Sequence, residues 1–320
     1  MIRVTGLSRS YGDFKAVDQV SFSIEKGEVI GLLGHNGAGK TTIMKMLTGF
    51  LEPSVGNIEI DGLTMPEDRM AIQTRIGYLP ENCPVYPDMA IIDYLDYAAE
   101  LRGLGGQAKL SAVQRVIQAT ELASKATQPI STLSRGFRQR VGVAQAILGK
   151  PDILILDEPT NGLDPSQILH MRDLIKNLSQ QATVIISTHI LQEVQAVCDR
   201  VLIVKNGKLA VDAKLSDLQQ GGTIKLISTN SLREIESLIK AQGFKVLAGN
   251  ALADSQFEYT LQPIDAKAKV QDKIPDLIKV LQANTISIYG IYPDRQDLES
   301  LFRQVNAVAA ETKEVIAHAA

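Results

Sequence analysis

"GHNGAGKTT", residues 34–42, is the stretch that decides the fold of this 320-residue chain. It has the form G-x-x-x-x-G-K-[ST] and lies between an apolar run, "VIGLL" at 29–33, and a segment with apolar residues at helical spacing. In such a loop, glycines let backbone N–H groups curl around phosphate oxygens. An idle glycine turn matches this string only rarely by chance. The loop therefore predicts a nucleotide-binding α/β domain.

The residue types of this phosphate loop assign its contacts. Lys40 reaches the outer phosphates, and the Thr41 hydroxyl can ligate Mg²⁺. The loop members expected to hold the nucleotide are Gly34, His35, Asn36, Gly37, Ala38, Gly39, Lys40, Thr41 and Thr42. His35 has no functional role of its own in this interpretation, beyond its place in the loop.

A second segment, "ILILDEP" at 153–159, adds catalytic chemistry. Its four apolar residues predict a strand buried on both faces, so Asp157 and Glu158 emerge where the strand ends, beside the phosphate loop. Asp157 would hold Mg²⁺ through its water shell, and Glu158 would orient or deprotonate the water that attacks the γ-phosphate. Alone, the pair would be better explained as the cap of a turn. Combined with Lys40, it favours hydrolysis.

Composition limits the classes of function. The net charge of −3 gives no global attraction to nucleic acid or anionic lipid. Cys83 and Cys198 are the only cysteines and have no metal-ligand spacing, so we expect structural thiols in a reducing, cytoplasmic compartment. The chain shows no signal-peptide pattern and no apolar run of roughly 18 residues. Any membrane role is therefore expected to come through a partner.

The sequence pattern indicates two domains. Apolar runs at 29–33, 153–156 and 183–187 each precede a turn and a helical pattern, which predicts a parallel α/β core. The first 75 residues are rich in strand patterns. Residues 85–150 form a mainly helical subdomain, in which one predicted buried face carries Ile92, Leu95 and Ala99. We place the boundary of the first domain, residues 1–220, at the paired glycines near 221.

Five motifs in a fixed order resemble the nucleotide-binding subunit of an ABC transporter. They are the phosphate loop, the signature segment "LSRGFRQR" (133–140), "ILILDEP", "NGLD" (161–164) and "STH" (187–189). The resemblance covers residues 1–220 and implies a P-loop NTPase cassette with a RecA-like core, an antiparallel β subdomain and a helical insertion. It also implies hydrolysis of ATP with Mg²⁺.

The resemblance further implies partners. It predicts a head-to-tail homodimer, or pairing with a related cassette, in which each ATP lies between one chain's phosphate loop and the other chain's signature segment. Integral membrane transporter subunits are the other implied partners, and nucleic acid is not. The chain would then be cytoplasmic and peripheral on the inner face of the cell membrane.

The resemblance assigns roles to five further residues. Ser134 and Gly136 would contact the γ-phosphate of a nucleotide held by the partner chain. Tyr11 would stack on adenine; the alternative is a tyrosine packed on a strand edge. His189 would touch the γ-phosphate as the family's switch histidine, and the alternative is a structural histidine. Asp164 would communicate across the dimer, although Asp-Pro is also an ordinary turn.

Three positions depart from the family's commonest pattern. Arg135 and Phe137 stand where the usual signature has glycine and glutamine, and the role of Arg135 is left open. Glu81, in "IGYLPEN" (76–82), stands where most of these transporters have glutamine. Its carboxylate could ligate Mg²⁺, directly or through water, but it adds negative charge beside three phosphates. With "VYPDM" and "AAELRGL", this variant resembles the subfamily that serves ABC-2-type exporters and gliding-motility-like systems.

Residues 221–306 are not explained by the cassette. Their pattern predicts β-α-β-β-α-β, the ferredoxin-like α+β arrangement, with a short closing helix and an alanine-rich tail at 307–320. Acidic and basic residues are nearly balanced there, which argues against nucleic-acid binding. We interpret this region as an accessory or regulatory domain.

The preferred function is therefore the ATP-hydrolysing subunit of a membrane transporter that works as an exporter. The alternative is a soluble ABC-class ATPase or a nucleotide sensor not coupled to transport. A translation factor of this class would carry two cassettes and a basic linker, and a DNA-repair ATPase would carry long heptad segments; neither pattern is present. Glu158 argues against a sensor that does not hydrolyse ATP.

Overall fold

The computed structural model describes residues 1–219, 223–252, 255–265, 270–294 and 298–305. The chain divides into two compact units, Met1–Ala213 and Lys214–Ala320. The predicted glycine boundary at 221 and the predicted tail at 307–320 lie outside the described residues.

The first unit alternates strands and helices as the apolar runs predict. Its strands are β1 (Ile2–Tyr11), β2 (Phe14–Ile24), β3 (Val29–Leu33), β4 (Val55–Ile60), β5 (Leu63–Thr64), β6 (Ile76–Leu79), β7 (Ile153–Asp157), β8 (Thr183–Thr188), β9 (Arg200–Lys205) and β10 (Lys208–Lys214). Its helices are α1 (Lys40–Leu47), α2 (Arg69–Arg75), α3 (Ile91–Leu101), α4 (Gly106–Ala119), α5 (Arg135–Ala146), α6 (Pro165–Ser179) and α7 (Leu191–Val197).

The central sheet of this unit has the strand order β10-β9-β3-β8-β7-β6. Strands β9, β3, β8, β7 and β6 pair in parallel. β7 shows why such strands read as continuous apolar runs: Ile153 and Ile155 enter one core, whereas Leu154 and Leu156 enter the core on the other face. Strands β3, β7, β8 and β9 are thus buried on both sides, and their polar residues are confined to the strand ends.

An antiparallel sheet of order β2-β1-β4-β5 covers one face of the central sheet. Its inward side chains, such as Leu7, Val20 and Ile58, pack with α1 and with Ile30 and Ile155 of the central strands. This is the antiparallel β subdomain that the resemblance predicts, and it lies directly against the helix that follows the phosphate loop.

The predicted helical insertion is formed by α3, α4 and α5, which pack on the other core. One predicted face is wrong by a residue: Ile92 is 40% exposed, whereas Ile91 is fully buried. The two isoleucines are adjacent, and α3 turns Ile91 to the side that also carries Leu95 and Ala99. The sequence spacing alone fits either residue.

The second unit has the predicted ferredoxin-like order. After α8 (Leu215–Gln219) come β11 (Thr223–Ser228), α9 (Leu232–Ala241), β12 (Phe244–Ala251), β13 (Phe257–Pro263), α10 (Val270–Ala283) and β14 (Gly290–Asp294). The sheet order is β12-β13-β11-β14, all antiparallel, with a further helical segment at 298–305. Ile235 and Ile239 of α9 and Leu277 and Leu281 of α10 are fully buried in this unit's own core.

Among the described residues, no helix combines the length and the apolar character that crossing a membrane requires.

Candidate active site

The predicted site residues reach one edge of the central sheet because parallel strands end on the same side. The phosphate loop follows β3, His189 follows β8, and Asp157 ends β7 with Glu158 next to it. β8 lies between β3 and β7, so the histidine emerges between the phosphate loop and the acidic pair. Glu81 follows the neighbouring strand β6.

The phosphate loop needs glycine where it turns into α1. Gly39 has φ of +110°, and a Cβ there would lie 2.6 Å from the Ala16 carbonyl oxygen, so no other residue fits. The turn places Lys40 at the start of the helix with only 5% of its surface exposed. Its Nζ atom donates to the carbonyl oxygens of Gly34, at 2.7 Å, and His35, at 3.3 Å.

Asp157 is completely buried beneath this loop. Its Oδ1 accepts hydrogen bonds from the Ser187 hydroxyl and, at 3.5 Å, from Thr41 Oγ1. Its Oδ2 is buried and has no hydrogen-bond partner among the described residues. Burial raises the pKa of Asp157 above its ordinary value, and the negative charge of Glu81 adds to this effect, while the two hydroxyls and the Lys40 charge oppose it.

Glu158 lies between the loop lysine and the histidine. Its Oε1 is 3.4 Å from Lys40 Nζ, and its Oε2 is 2.9 Å from His189 Nδ1. The backbone of Glu158 is left-handed, with φ of +50°, and its N–H group is bonded to the carbonyl oxygen of Ser187 at 3.1 Å and to its hydroxyl at 3.2 Å. A non-glycine residue in this conformation is strained and is retained where the surroundings enforce it.

Lys40, Glu158 and His189 line one cavity of about 550 Å³. The predicted residues that line it are Tyr11, Asn36, Gly37, Gly39, Lys40, Thr41, Thr42, Glu81, Glu158 and His189. Three others line it as well: Phe14, Ala16 and Asn161. The structure thus brings the phosphate loop, the predicted base, the histidine and the predicted adenine-stacking tyrosine to one site.

Three predicted loop residues support the cavity rather than line it. Gly34 and His35 present their carbonyl oxygens to Lys40. Ala38 is buried; its N–H group donates to the His35 carbonyl oxygen at 3.1 Å, and its own carbonyl oxygen accepts from Gly207 N at 2.9 Å. These contacts hold the shape of the loop.

Tyr11 and Glu81 lie at the open side of the cavity. Tyr11 ends β1 with half of its surface exposed, and the Arg9 guanidinium carbon lies 4.9 Å from the centre of its ring. This contact covers part of the ring with a cation, which favours a fixed ring orientation. The Glu81 side chain is exposed, and its Oε1 accepts from Asn161 Nδ2 at 3.4 Å.

The predicted signature contacts form a second group outside the cavity. Ser134 caps α5 by accepting from Phe137 N at 3.4 Å. Gly136 packs against Gln167: a Cβ there would lie 2.6 Å from Oε1, so a larger residue would require this flexible side chain to move. The Arg135 guanidinium lies against Gly162, where a Cβ would be 2.4 Å from Nη1. Arg135 thus connects the signature segment with "NGLD" of the same chain.

Asp164 belongs to this second group. It caps α6, with Oδ1 accepting from Gln167 N at 2.9 Å and from Ser166 Oγ at 2.7 Å. The hydrogen bond from the Gln167 N–H group, followed by that from Ser166, lowers the pKa of Asp164. The contacts are those of an ordinary Asp-Pro helix start, so within one chain the turn alternative describes the geometry of Asp164.

Sequence reasoning missed three residues around Asp157 and Glu81. Ser187 lies within the "STH" motif, and its position at the end of a strand beside β7 is the signal that it lies close to Asp157. Asn161 follows "DEPT" closely and holds Glu81. The Tyr78 hydroxyl is buried without a described hydrogen-bond partner, and desolvation, followed by the charges of Asp157 and Glu81, raises its pKa. Nothing in the sequence indicates that Tyr78, within a β-strand, lies close to Asp157 and Glu81.

The two cysteines fit the predicted structural role. Burial raises the pKa of Cys83 to about 11 and raises that of Cys198 as well, so neither thiol is a ready nucleophile at neutral pH.

Comparison with known proteins agrees with this geometry. Residues 17–161 match the family model described as "ABC transporter". The chain is 32% identical over 316 residues, 98% of this chain and 97% of the relative, to the uncharacterized ABC transporter ATP-binding protein YdbJ of Bacillus subtilis (strain 168). It is 30% identical to the linearmycin resistance ATP-binding protein LnrL of the same organism, over 94% of this chain and 97% of the relative.

A solved structure titled "Structure of ATP binding subunit of ABC transporter" superposes with a TM-score of 0.62 and 28% identity. The superposition covers 69% of this chain and 92% of that one. The cassette fold that the motifs predict is therefore confirmed. Given the full-length relatives and the converged phosphate loop, acidic pair and histidine, this chain belongs to the ABC transporter family as an ATP-binding subunit that hydrolyses ATP.

Proposed function

We propose that this chain powers the export of a substrate through integral membrane subunits, at the inner face of the cell membrane. Two chains, or this chain and a related cassette, hold two ATP molecules head to tail. The observation that carries the proposal is the separation of the predicted nucleotide contacts. Ser134, Gly136 and Asp164 lie outside the cavity that Lys40, Glu158 and His189 line. The signature segment does not complete its own chain's site, so a second chain supplies it.

Hydrolysis follows from the side chains around the cavity. Lys40 neutralises the outer phosphates. To do so, its Nζ atom gives up its hydrogen bonds to two backbone carbonyl oxygens and donates to phosphate oxygens instead. Glu158 orients the attacking water and accepts its proton, while the water oxygen bonds to the γ-phosphorus. The bond from that phosphorus to the bridging oxygen breaks, and ADP and phosphate leave. His189, bonded to Oε2 of Glu158, holds the carboxylate in place and meets the γ-phosphate.

The residues beside the cavity fit Mg²⁺. The buried Asp157 oxygen without a partner, the Thr41 hydroxyl and the raised pKa of Asp157 describe an oxygen-rich position that a hard cation would stabilise. Among the described residues there is no cluster of three or more His, Cys, Asp or Glu that could bind a metal alone, so phosphate oxygens and water would complete the coordination. Bound Mg²⁺ would neutralise charge on the β- and γ-phosphates. Exposed Glu81 would act through water.

The helical insertion is the proposed docking surface for the membrane subunit. Tyr86 is 54% exposed, and its ring lies edge-on to Tyr97 and Tyr94, at 5.8 and 6.2 Å between centroids. An apolar groove of about 510 Å³, with Ile92 and Leu110 in its lining, lies nearby on α3 and α4. Exposed aromatic and apolar surface of this kind marks interaction sites. Export, rather than import, is supported by the resistance named for the LnrL relative, since removal of a toxic compound confers resistance.

The second unit is proposed to regulate dimerisation or coupling and to take no part in the chemistry. Its buried apolar faces cover its own sheet, and the residues that surround the cavity all belong to the first unit. A chain ending after Gly221 should fold and bind ATP with the affinity of the full chain, while its dimerisation or its stimulation by the membrane partner changes. Loss of ATP binding in a fragment with a native circular dichroism spectrum would show that this unit belongs to the site.

The dimer is tested with the Glu158→Gln chain, which retains ATP. Size-exclusion chromatography with light scattering should show a dimer with ATP and a monomer without it. Adding Ser134→Arg to the same chain should keep it monomeric with ATP present. A monomeric Glu158→Gln chain that is saturated with ATP, also in complex with its membrane subunit, would contradict the head-to-tail proposal.

The transport role is tested by purification from solubilised membranes. An integral membrane protein should co-purify with the tagged full chain and raise its ATPase rate, and Tyr86→Asp should reduce this association without changing the rate of the isolated chain. Equal recovery of the membrane protein with Tyr86→Asp would remove the tyrosine cluster from the interface. A chain that binds no membrane protein would favour the soluble ATPase alternative.

A further inference from the structure

A buried carboxylate lies behind the reacting groups and is not used by the mechanism above. Glu193, in α7, has 5% of its surface exposed. Its Oε1 accepts a hydrogen bond from Thr160 Oγ1, and its Oε2 accepts one from Thr188 Oγ1 at 2.8 Å. Both threonines are buried as well, at 4% and 0% exposure. Glu193 therefore joins two segments of the chain inside the protein.

The two joined segments carry the proposed catalytic pair. Thr160 lies two residues after Glu158, and Thr188 directly precedes His189. Glu158 and His189 are themselves in contact, with 2.9 Å between Oε2 and Nδ1. The backbone and these three hydrogen bonds thus form a closed ring, with Glu193 at the back and the Glu158–His189 pair at the cavity.

The chemistry of Glu193 is specific to a carboxylate. Two neighbouring hydroxyls donate to it, and only a carboxylate offers an acceptor oxygen to each. The Thr188 oxygen already accepts from Ile190 N at 3.1 Å, so its own proton is directed towards Glu193. Burying a carboxylate against neutral hydroxyls is costly compared with burying an apolar side chain. An apolar residue would fill this space more cheaply, so packing alone does not account for Glu193.

We infer that Glu193 is a positioning residue for ATP hydrolysis. By holding Thr160 and Thr188 together, it fixes the distance between the segment that carries Glu158 and the segment that carries His189. Glu158 also has a strained left-handed backbone, which needs surrounding contacts to persist. This inference rests on the proposed roles of Glu158 and His189. Lys40 also contacts Glu158, with 3.4 Å between Nζ and Oε1, but both of its hydrogen bonds are to carbonyl oxygens of the phosphate loop.

The test compares Glu193→Leu with Thr188→Val, which removes one hydroxyl at nearly constant shape. Gln195→Leu, at an exposed position of the same helix, is the matched control. Each substitution is made in the full-length chain, both alone and combined with His189→Ala. ATP affinity is measured by equilibrium titration, and the rate of hydrolysis is measured under single-turnover conditions. We expect Glu193→Leu to lower turnover by about ten- to a hundredfold, because small misplacements of reacting groups cost this much. ATP affinity should stay within about twofold, since phosphate contacts are retained.

The combination with His189→Ala separates positioning from simple structural support. In that background Glu193→Leu should lower the remaining turnover by less than about threefold, because the pair that it positions is already lost. Thr188→Val should show the same pattern with a smaller loss, and it decides the matter if Glu193→Leu does not fold. An equal loss in both backgrounds, or a loss of ATP affinity at unchanged turnover, would overturn the inference. Glu158→Gln, measured in parallel, distinguishes failure of this inference from failure of the proposed catalytic roles.

Discussion

Two helix starts in the first unit carry the predicted nucleotide contacts, and they differ in what surrounds them. Neither α1 nor α5 has an acidic residue in its first turn, so both present the positive end of a helix. The start of α1 lies in the cavity, where the carboxylate of Glu158 and the side chain of His189 also converge. The start of α5 lies outside it, with Ser134 as its cap and Arg135 and Arg138 on its exposed first turn.

The difference indicates that the two helix starts have different roles in nucleotide binding. The start of α1 lies beside the proposed acid–base and metal-binding groups, whereas the first turn of α5 offers hydrogen-bond donors and positive charge. The first turn of α5 has no carboxylate, so its positive charge complements the negative charge of a triphosphate that is bound at the start of α1 in another chain. Because both lie on one chain but not in one cavity, the structure supports pairing between copies, with chemistry on one side and charge complementarity on the other.

Glu158→Gln should separate the two functions most strongly. The amide cannot accept the water's proton, so turnover should fall by about 10²- to 10⁴-fold, the usual contribution of a general base. ATP affinity should be retained, because the α1 side keeps Lys40. Phosphate release and equilibrium nucleotide titration measure the two quantities.

Glu81→Gln is the control for Glu158→Gln, since it removes a carboxylate from the same cavity and leaves the proposed base in place. Its turnover should stay within about threefold of the original chain, given the exposure of Glu81. Equal losses in the two variants would mean that the cavity needs negative charge rather than a base at Glu158.

Ser134→Arg changes the α5 side alone. Its long cation would occupy the place of the partner's γ-phosphate, so turnover should fall by about a hundredfold through failed closure of the dimer. ATP binding to the monomer should be unchanged in an equilibrium titration. Normal turnover of this chain would refute the trans role of the signature segment.

Mixed dimers sharpen this test. A Ser134→Arg chain paired with a Lys40→Ala chain has one composite site with both lesions and one with neither. Differently tagged chains allow the mixed species to be purified, and partial recovery of turnover over either homodimer is expected. Recovery places the two lesions on opposite sides of one site.

Lys40→Ala changes the α1 side alone. Loss of a charge-assisted contact to the outer phosphates corresponds to about 1.5–3 kcal/mol, so ATP affinity should fall by roughly ten- to 150-fold. Lys45→Ala, on the same helix and with the same change of charge, is the matched control and should bind ATP as before. Unchanged affinity of Lys40→Ala would contradict the phosphate-loop assignment.

The sequence allowed the α1 side to be predicted in detail because its parts are local. A strand, a glycine turn and a helix start fix the positions of Lys40 and Thr41, and parallel strand ends bring Asp157 and His189 to the same edge. Contacts that join distant segments gave no such pattern. Thr160 and Thr188 meet Glu193 only because α7 packs behind β8, and the register of neighbouring helix residues was ambiguous at Ile91 and Ile92.

The α5 side was predicted by resemblance rather than by local chemistry. The contact of Arg135 with Gly162 could not be predicted from the sequence, since it depends on how α5 and the "NGLD" turn pack. Likewise, Asp164 reads as an ordinary helix cap in one chain. The proposed function of this side depends on a second chain, and neither spacing nor periodicity within one sequence describes a contact between two chains.

The smallest expected effect concerns the proposed adenine contact, Tyr11, which lies half exposed on β1. Stacking on a purine would contribute about 1 kcal/mol, so Tyr11→Ala should weaken ATP binding by roughly fivefold, and Tyr11→Phe should retain affinity because the ring face is kept. Inorganic tripolyphosphate, which has no base, should bind both variants equally. That comparison tells stacking apart from a general change in the loop.

A substitution of Arg9 tests whether the orientation of the Tyr11 ring matters for ATP binding. Its guanidinium lies against the Tyr11 ring, and its Nη1 also donates to the Glu52 carbonyl oxygen at 3.0 Å, so it fixes the ring from one side. Arg9→Gln should therefore weaken ATP binding by less than Tyr11→Ala, and it should have no further effect in a Tyr11→Ala chain, where there is no ring to orient. If Tyr11→Ala instead weakens tripolyphosphate and ATP by the same factor, Tyr11 supports the strand edge rather than adenine. The nucleotide would then be held by its phosphates alone, and the contrast between the α1 and α5 sides would account for the whole of its recognition.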